Sequence, residues 1–223
     1  MVRLIMAGLL VGCALVVAPV GGALPTESCP PTCDRIPATA WPAPGSLPMD
    51  TSSHWPLLAG LAAPVRNPRF YFEELCASPQ RDDDPRRYVV AAKTEVAAPP
   101  GQWQLRAQVL HWRGETWRGG QLVTSVFDQA VADLRNCQAA APQFSPSITT
   151  SDGDRMAAVI SGPQVVHQYL VAHPQSSTIS ELVLWVTPPP GRVVTEPWNP
   201  LPDARVLDAM ADPLCGAYLS SCG

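Results

Sequence analysis

Two neighbouring stretches decide the fold: residues 102–112, QWQLRAQVLHW, and residues 121–137, QLVTSVFDQAVADLRNC. Apolar and polar side chains alternate along the first stretch, which predicts a half-buried antiparallel strand. Apolar side chains recur every three or four residues along the second, which predicts an amphipathic helix with one buried stripe. Cys137 falls at the core edge of the last helical turn, so we expect it to tie the helix end to a neighbouring segment.

Further strands are predicted on both sides of this pair. Residues 88–96 predict a strand that joins residues 102–112 in a hairpin. Four more short strands and a second helix are predicted at residues 147–150, 156–161, 165–172, 178–187 and 204–210. This order indicates a single α+β domain at residues 69–223, with one antiparallel sheet and a packed helix at about residues 121–140.

The N-terminus has the features of a secretory signal peptide. Arg3 is followed by an apolar run at residues 4–20 and by the small residues 21–23. The run lies at the lower limit of a bilayer span, and Pro25 rather than a basic cluster follows it. We expect residues 1–23 to be removed, which leaves a secreted or cell-envelope protein with no stable membrane span.

A lipoprotein is the alternative for the same segment. Residues 10–13, LVGC, match a bacterial lipobox, in which Cys13 would become the lipidated first residue. The residues that follow, 14–20, are apolar, whereas a lipoprotein normally has a polar tether there. The signal peptide is therefore the favoured interpretation, and anchoring at Cys13 is the second.

The segment at residues 24–68 is predicted to be an extended arm. It carries a large share of the 26 prolines of the chain, and proline excludes long helices and central strands. It also contains Trp41, Trp55 and two cysteines, which disordered linkers lack. We expect it to wrap over the globular domain, held there by a disulfide bond.

The cysteines indicate a domain stabilised by disulfide bonds. After removal of the signal peptide, the chain keeps Cys29, Cys33, Cys76, Cys137, Cys215 and Cys222. Six thiols in an exported protein imply up to three disulfide bonds, and the spacing leaves all fifteen pairings open. Neither CPPTC at residues 29–33 nor the gap from 215 to 222 has standard zinc-ligand spacing.

No catalytic or cofactor motif stands out. The formal net charge is −4 without a basic patch, which argues against nucleic acid as a partner. The chain lacks a Gly-x-Ser-x-Gly nucleophile motif, a P-loop and a dinucleotide-binding motif. The four histidines, His54, His111, His167 and His173, show no ligand spacing, so neither a metal nor a cofactor is predicted.

Two groups of acidic residues have both a structural and a functional interpretation. Residues 82–84 are three aspartates flanked by Arg81, Arg86 and Arg87, and the simplest interpretation is a solvated loop with internal charge pairing. A calcium site is the alternative. Glu73 and Glu74 precede Cys76 and could supply a general acid, although nothing in the sequence raises their pKa.

The candidate binding residues lie between the predicted strand and the predicted helix. Residues 113–120, RGETWRGG, predict a glycine-rich loop, and the candidates there and beside it are Trp112, Arg113, Trp117 and Arg118. Trp and Arg are common anchors of binding surfaces. Trp117 is the one that we most expect to be exposed. The alternative is core packing for Trp103 and Trp185, with the other tryptophans holding loops in place.

The stretch at residues 102–187 resembles the extracellular sensor domain of mycobacterial membrane Ser/Thr kinases and the small secreted or lipid-anchored proteins related to it. The shared features are the helix ending in Cys137 and the strands that follow it, in a chain of actinobacterial composition. The proline-rich arm and CPPTC are not part of that pattern. The resemblance implies ligand sensing or envelope interaction without catalysis.

We therefore expect a monomeric, exported, non-catalytic binding or sensor-like protein of the bacterial cell envelope, with an envelope or extracellular ligand or protein as its partner. A secreted hydrolase with site residues scattered in sequence is the alternative, and an assembly factor is the third. A deep pocket with His111 or His167 beside a carboxylate and a serine would favour the hydrolase. A shallow groove lined by tryptophans and arginines would favour binding.

Overall fold

The computed structural model describes residues 29–189, 191, 194, 196–219, 221 and 222. The signal peptide predicted at residues 1–23, the lipobox at Cys13 and the start of the proline-rich arm lie outside the described residues.

The strands form one antiparallel sheet, which confirms the predicted α+β class. They are β1 (Ala63–Pro64), β2 (Val90–Val96), β3 (Gln104–His111), β4 (Ser145–Asp152), β5 (Arg155–Ser161), β6 (Val165–His173) and β7 (Thr178–Val186). Their order across the sheet is β1-β2-β3-β7-β6-β5-β4. The last strand in sequence, β7, therefore lies at the centre, between β3 and β6.

Helices cover the sheet from both sides. They are α1 (Asp50–Ser53), α2 (Leu58–Leu61), α3 (Tyr71–Leu75), α4 (Thr116–Arg135), α5 (Cys137–Ala140) and α6 (Asp203–Ala217). The buried stripe of α4 packs with α3 on one face of the sheet. The other face packs against α6 and against the proline-rich arm, whose Trp41, Met49 and Trp55 are buried.

Coverage of both faces corrects the prediction that β3 is half-buried. The expected apolar face, with Leu105, Ala107 and Val109, packs against α6 and the arm. The expected polar face is buried as well: Arg106 lies over the ring of Tyr71 in α3, and Gln108 donates to Arg69 O and to Glu181. The alternation is thus real, but the second layer that buries the polar face comes from segments distant in sequence.

Helix α4 begins at Thr116, five residues before the predicted start, and this corrects the glycine-rich loop predicted at residues 113–120. Gly119 and Gly120 are in the first turns of the helix, where they face the 3-10 turn Pro174–Ser176 and Ser177. A Cβ at Gly119 would overlap the side chain of Ser177, so only glycine lets the helix approach this closely. Close packing therefore explains the two glycines.

Substitution of Gly119 by alanine is expected to destabilise the fold by about 1–3 kcal/mol, because the clash outweighs the better helix propensity of alanine. The matched control is Gly216→Ala in α6, where an added Cβ meets no atom within 4 Å. Alanine there should leave stability unchanged or raise it by up to about 1 kcal/mol. Urea denaturation of the two variants measures both effects, and equal stability would show that α4 does not approach Ser177 as described.

Helix α6 is longer than the helix predicted at residues 204–210, since it continues through Pro213 to Ala217. Proline in a helix interior removes a backbone hydrogen bond, which is why the sequence indicated an earlier end. Leu214 and Ala217 are completely buried beyond the proline. Their packing against the sheet offsets the cost of Pro213.

Three disulfide bonds join Cys29 to Cys33, Cys76 to Cys137 and Cys215 to Cys222. The Cys76–Cys137 bond ties the end of α4 to the segment after α3, which confirms the expectation for Cys137. Such bonds are typical of an oxidising, extracellular compartment. Within the part of the chain that the structure describes, no helix has the length and apolar character needed to cross a bilayer.

The arm is attached differently from the prediction, because the Cys29–Cys33 bond closes a loop within the arm itself. Backbone hydrogen bonds provide the attachment instead: Cys29 N–H donates to Ala217 O (2.7 Å), and Leu219 N–H donates to Cys29 O (2.8 Å). Burial of the arm tryptophans completes the attachment.

Candidate functional site

A groove runs along the exposed face of α4, and we call it the α4 groove. Its volume is about 1020 Å³, and the 3-10 turn Pro174–Ser176 provides its second wall. The lining residues are Thr116, Trp117, Gly120, Gln121, Thr124, Ser125, Asp128, Gln129, Ala132, Pro174 and Gln175. The groove is open to solvent along its length, so it suits an extended ligand rather than an enclosed one.

The lining of the α4 groove is polar but nearly uncharged. Hydroxyl groups and side-chain amides make up most of its polar groups, and Asp128 is its one ionisable side chain. Amides and hydroxyls both donate and accept hydrogen bonds. The groove can therefore bind a neutral ligand that carries many hydroxyl or amide groups.

Trp117 is the aromatic residue of the groove and is 59% exposed. The guanidinium of Arg118 lies over its ring, 5.0 Å from the ring centroid, in a cation–π contact. Arg118 in turn forms an ion pair with Glu115, with Nε 3.1 Å from Oε2. These contacts restrict the indole before any ligand binds, which reduces the entropy lost on binding.

The structure places the four predicted binding residues in different environments. Trp117 lines the groove and Arg118 packs on it, while Arg113 is exposed but lies outside the lining. Trp112 does not contribute to this surface, because it is only 4% exposed and packs in the core under α4. Its indole N–H donates to Pro85 O at 3.3 Å, which satisfies its polar atom.

Two aspartates of the acidic loop at residues 82–84 pair with arginines, Asp84 with Arg86 and Asp82 with Arg87, as the simpler interpretation predicted. The guanidinium of Arg86 donates to both carboxylate oxygens of Glu73 (2.7 and 2.9 Å) and to Asp84 (2.7 Å). Burial acts to raise the pKa of Asp84, but the hydrogen bonds from Arg86 outweigh it and hold that pKa below its usual value. Glu73 also accepts the Phe70 N–H at 2.8 Å, so it serves as a helix cap and ion-pair partner.

A second polar group, which sequence reasoning missed, lies inside the sheet. Glu181 of the central strand is 1% exposed and accepts hydrogen bonds from Tyr71 N–H (2.8 Å), Gln108 Nε2 (2.6 Å) and Gln168 Nε2 (3.0 Å). Burial raises the pKa of Glu181 to about 7, against the opposing effect of these donors. We call these four residues the Glu181 network. The signal in the sequence was a lone carboxylate within the apolar segment TISELVLWV.

The histidines that could have marked a hydrolase are held in structural contacts. His111 Nε2 lies 3.2 Å from Pro31 O, its ring stacks on Tyr218, and burial lowers its pKa. His167 stacks on Trp198 with ring centroids 3.6 Å apart, and burial lowers its pKa to about 4. Among the residues that the structure describes, neither histidine has a hydrogen-bonded carboxylate or serine side chain beside it.

His173 has a different environment, which we call the His173 cluster. Its Nδ1 lies 2.7 Å from Ser176 Oγ, and its Nε2 lies 3.6 Å from the sulfur of Cys215 and 3.6 Å from that of Cys222. Ser176 is 3% exposed, so this Ser–His pair cannot present a nucleophile to a substrate. Residues of three separate segments meet here.

Comparison of the chain with protein families, with characterised proteins and with solved structures found no match. The fold and the groove alone therefore define the class of protein: a disulfide-bonded α+β domain with an open surface groove that is polar and nearly uncharged.

Proposed function

We propose that this protein is an exported, non-catalytic binding protein of the bacterial cell envelope, sensor-like in role, and that its ligand is a neutral glycan chain bound in the α4 groove. The observation that carries the proposal is the combination of one restrained, exposed tryptophan with a groove of hydroxyls and amides. The apolar C–H face of a sugar ring packs on an indole, and its hydroxyl groups suit amide partners.

The charge of the groove favours a glycan over an ionic ligand. Asp128 is the one carboxylate of the lining, and no Arg or Lys belongs to it. An anionic polymer would be repelled by Asp128, and a polycation would find little to pair with. A neutral chain with many hydroxyl groups loses less hydration energy on binding. Its hydroxyls can replace hydrogen bonds to water by hydrogen bonds to the amides of Gln121, Gln129 and Gln175.

Export and envelope location remain part of the proposal. The three disulfide bonds support an oxidising compartment, and the signal peptide predicted at residues 1–23 would provide the route. The resemblance to kinase sensor domains supports a sensing role without catalysis. A hydrolase is less well supported, since the described histidines are committed to the contacts given above.

The proposal predicts that Trp117→Ala weakens glycan binding at least tenfold, about 1.4 kcal/mol, because the aromatic anchor is lost. An array of neutral cell-wall polysaccharides (galactan, arabinan and mannan) identifies the ligand, and titration with the best oligosaccharide gives Kd for each variant. Tyr88→Ala is the matched control, since Tyr88 is an exposed aromatic residue (80%) outside the groove.

Tyr88→Ala should leave the Kd unchanged. Two results would contradict the proposal: binding of no glycan on the array, or equal affinity of the parent and Trp117→Ala. If an extended peptide binds through Trp117 instead, the groove is the binding site but its ligand is a peptide and not a glycan.

A further inference from the structure

The His173 cluster brings together three side chains that metals prefer as ligands. His173 ends β6, Cys215 is in the last turns of α6, and Cys222, which is exposed, follows α6. One ligand atom from each lies within 4.8 Å of the other two. The cysteines form a disulfide bond in this structure, so the thiolates that a metal requires exist only after reduction.

The hydrogen bonds of His173 orient it as a ligand. Ser176 Oγ donates to His173 O at 3.3 Å, so Nδ1–H can donate to the same Oγ at 2.7 Å. The lone pair of Nε2 then faces both sulfurs. A histidine that donates from one ring nitrogen to a fixed acceptor and binds a metal through the other is the usual arrangement in metal sites.

The distances match those of a tetrahedral zinc site. With Zn–S of about 2.3 Å and Zn–N of about 2.0–2.1 Å, nitrogen and sulfur ligands of one tetrahedral ion are about 3.6 Å apart. His173 Nε2 is 3.6 Å from each sulfur. The sulfurs themselves must separate to about 3.8 Å. Cys222 is exposed and lies outside the strands and helices, so it can make this movement without disturbing the sheet.

We propose that reduction of Cys215–Cys222 converts the His173 cluster into a binding site for one Zn²⁺, held by His173 Nε2 and two thiolates, with a fourth position open to solvent. A dithiol supplies two electrons and two protons and becomes a disulfide, while the protein gains two thiols. Zn²⁺ then displaces the two thiol protons, and the two thiolates balance its charge. The site adjoins the turn Pro174–Ser176 that forms one wall of the α4 groove, but none of its three metal ligands lines the groove, and the proposal does not depend on the proposed function.

The experiment uses the full chain with Cys29→Ser and Cys33→Ser, which removes the two thiols of the arm. Of the two remaining disulfide bonds, Cys215–Cys222 is the one with an exposed cysteine. Cys76 and Cys137 are 0% and 1% exposed and resist mild reduction of the folded protein. After reduction by a phosphine and its removal under anaerobic conditions, the protein is titrated with Zn²⁺ against a chromogenic chelator. Co²⁺ as a second probe reports thiolate ligation and tetrahedral geometry from its absorption spectrum.

The reduced protein should bind one Zn²⁺ per chain, and the oxidised protein should bind none. His173→Ala should weaken binding at least tenfold, whereas His54→Ala, an exposed histidine far from the cysteines in sequence, should not change it. Cys222→Ser should remove one thiolate from the Co²⁺ spectrum, and its exposed position makes it a variant that folds. The proposal is overturned if the reduced protein binds no Zn²⁺, or if His173→Ala and Cys222→Ser both bind it as tightly as the parent.

Discussion

Replacement of Phe127 by alanine is expected to lower the free energy of unfolding by about 3–5 kcal/mol, because it leaves a cavity under the longest helix. Phe127 is 4% exposed and lies in the buried stripe of α4, in the core shared with Met156, Ile160 and Leu170 of the sheet. Backbone hydrogen bonds hold that sheet in place, so it cannot close over the space. Urea denaturation with the disulfides intact gives the change directly.

Leu122→Ala is the matched control on the same helix. Leu122 is 36% exposed, at the edge of the apolar stripe. Its truncation removes little buried surface and should cost less than about 1 kcal/mol. If Phe127→Ala costs under 1 kcal/mol, or no more than Leu122→Ala, then α4 does not pack on the sheet through the stripe described.

The elements that the sequence predicted well are those whose pattern is local. The stripe of α4 depends on spacings of three and four residues, and the alternation of β3 depends on a spacing of two. Both patterns are visible in a short window and both were correct. Burial of the polar face of β3 was not visible there, because the contacts of that face are with Tyr71 for Arg106 and with Arg69 for Gln108, and Arg69 lies 39 residues before Gln108.

Helix ends were predicted less well, for reasons that are also physical. Gly119 and Gly120 have low helix propensity, so the start of α4 looked like a loop. Pro213 also has low helix propensity, so α6 was predicted to end before it. In both helices, contacts with distant segments override the local preference: Ser177 and Pro174 for α4, and the sheet for α6.

The candidate site was also predictable only in its local part. Trp117 could be chosen from sequence, because an aromatic residue among glycines and arginines suggests exposure. The opposite wall of the groove, Pro174 and Gln175, comes from a turn more than 50 residues later. The His173 cluster was invisible for the same reason, since histidine and cysteines separated by 42 and 49 residues have no motif spacing.

The Glu181 network is expected to make stability depend on pH. The pKa of Glu181 is raised from 4.5 to about 7 by burial. Between these values the folded state keeps a proton that the unfolded state has released, so the contribution of Glu181 to stability falls as pH rises. Across this interval the loss amounts to about 3 kcal/mol, at 1.36 kcal/mol for each pH unit. Above about pH 7 no further loss from this group is expected.

The flanking glutamines can accommodate both states of Glu181. When Glu181 is ionised, both amides donate to it, and the Oε1 atoms of Gln108 and Gln168 have no partner among the described residues. When Glu181 is neutral, a half-turn of one amide gives its O–H an acceptor, in exchange for the N–H bonds of that amide to Glu181 and to a backbone oxygen. Burial of the carboxylate therefore decides the balance and makes the ionised state the costlier one.

Glu181→Gln imitates the neutral acid and tests this argument. The variant should match the parent at pH 5 and be more stable than the parent by about 2–3 kcal/mol at pH 8. The quantity to compare is the difference in unfolding free energy between variant and parent at each pH. In either protein alone, His111, His167 and His173 change stability with pH in the opposite direction. Burial lowers the pKa of each of them, so stability from these histidines rises with pH through the same range.

Urea denaturation of parent and variant at half-unit steps from pH 4.5 to 8 measures this difference. Glu115→Gln is the control, since Glu115 is an exposed carboxylate at the start of α4, and its curve should run parallel to that of the parent. A Glu181→Gln curve that is also parallel to the parent would mean that Glu181 is ionised throughout, held by its three donors. The network would then be a fixed anion site within the sheet, and its burial cost would be offset by those hydrogen bonds at every pH.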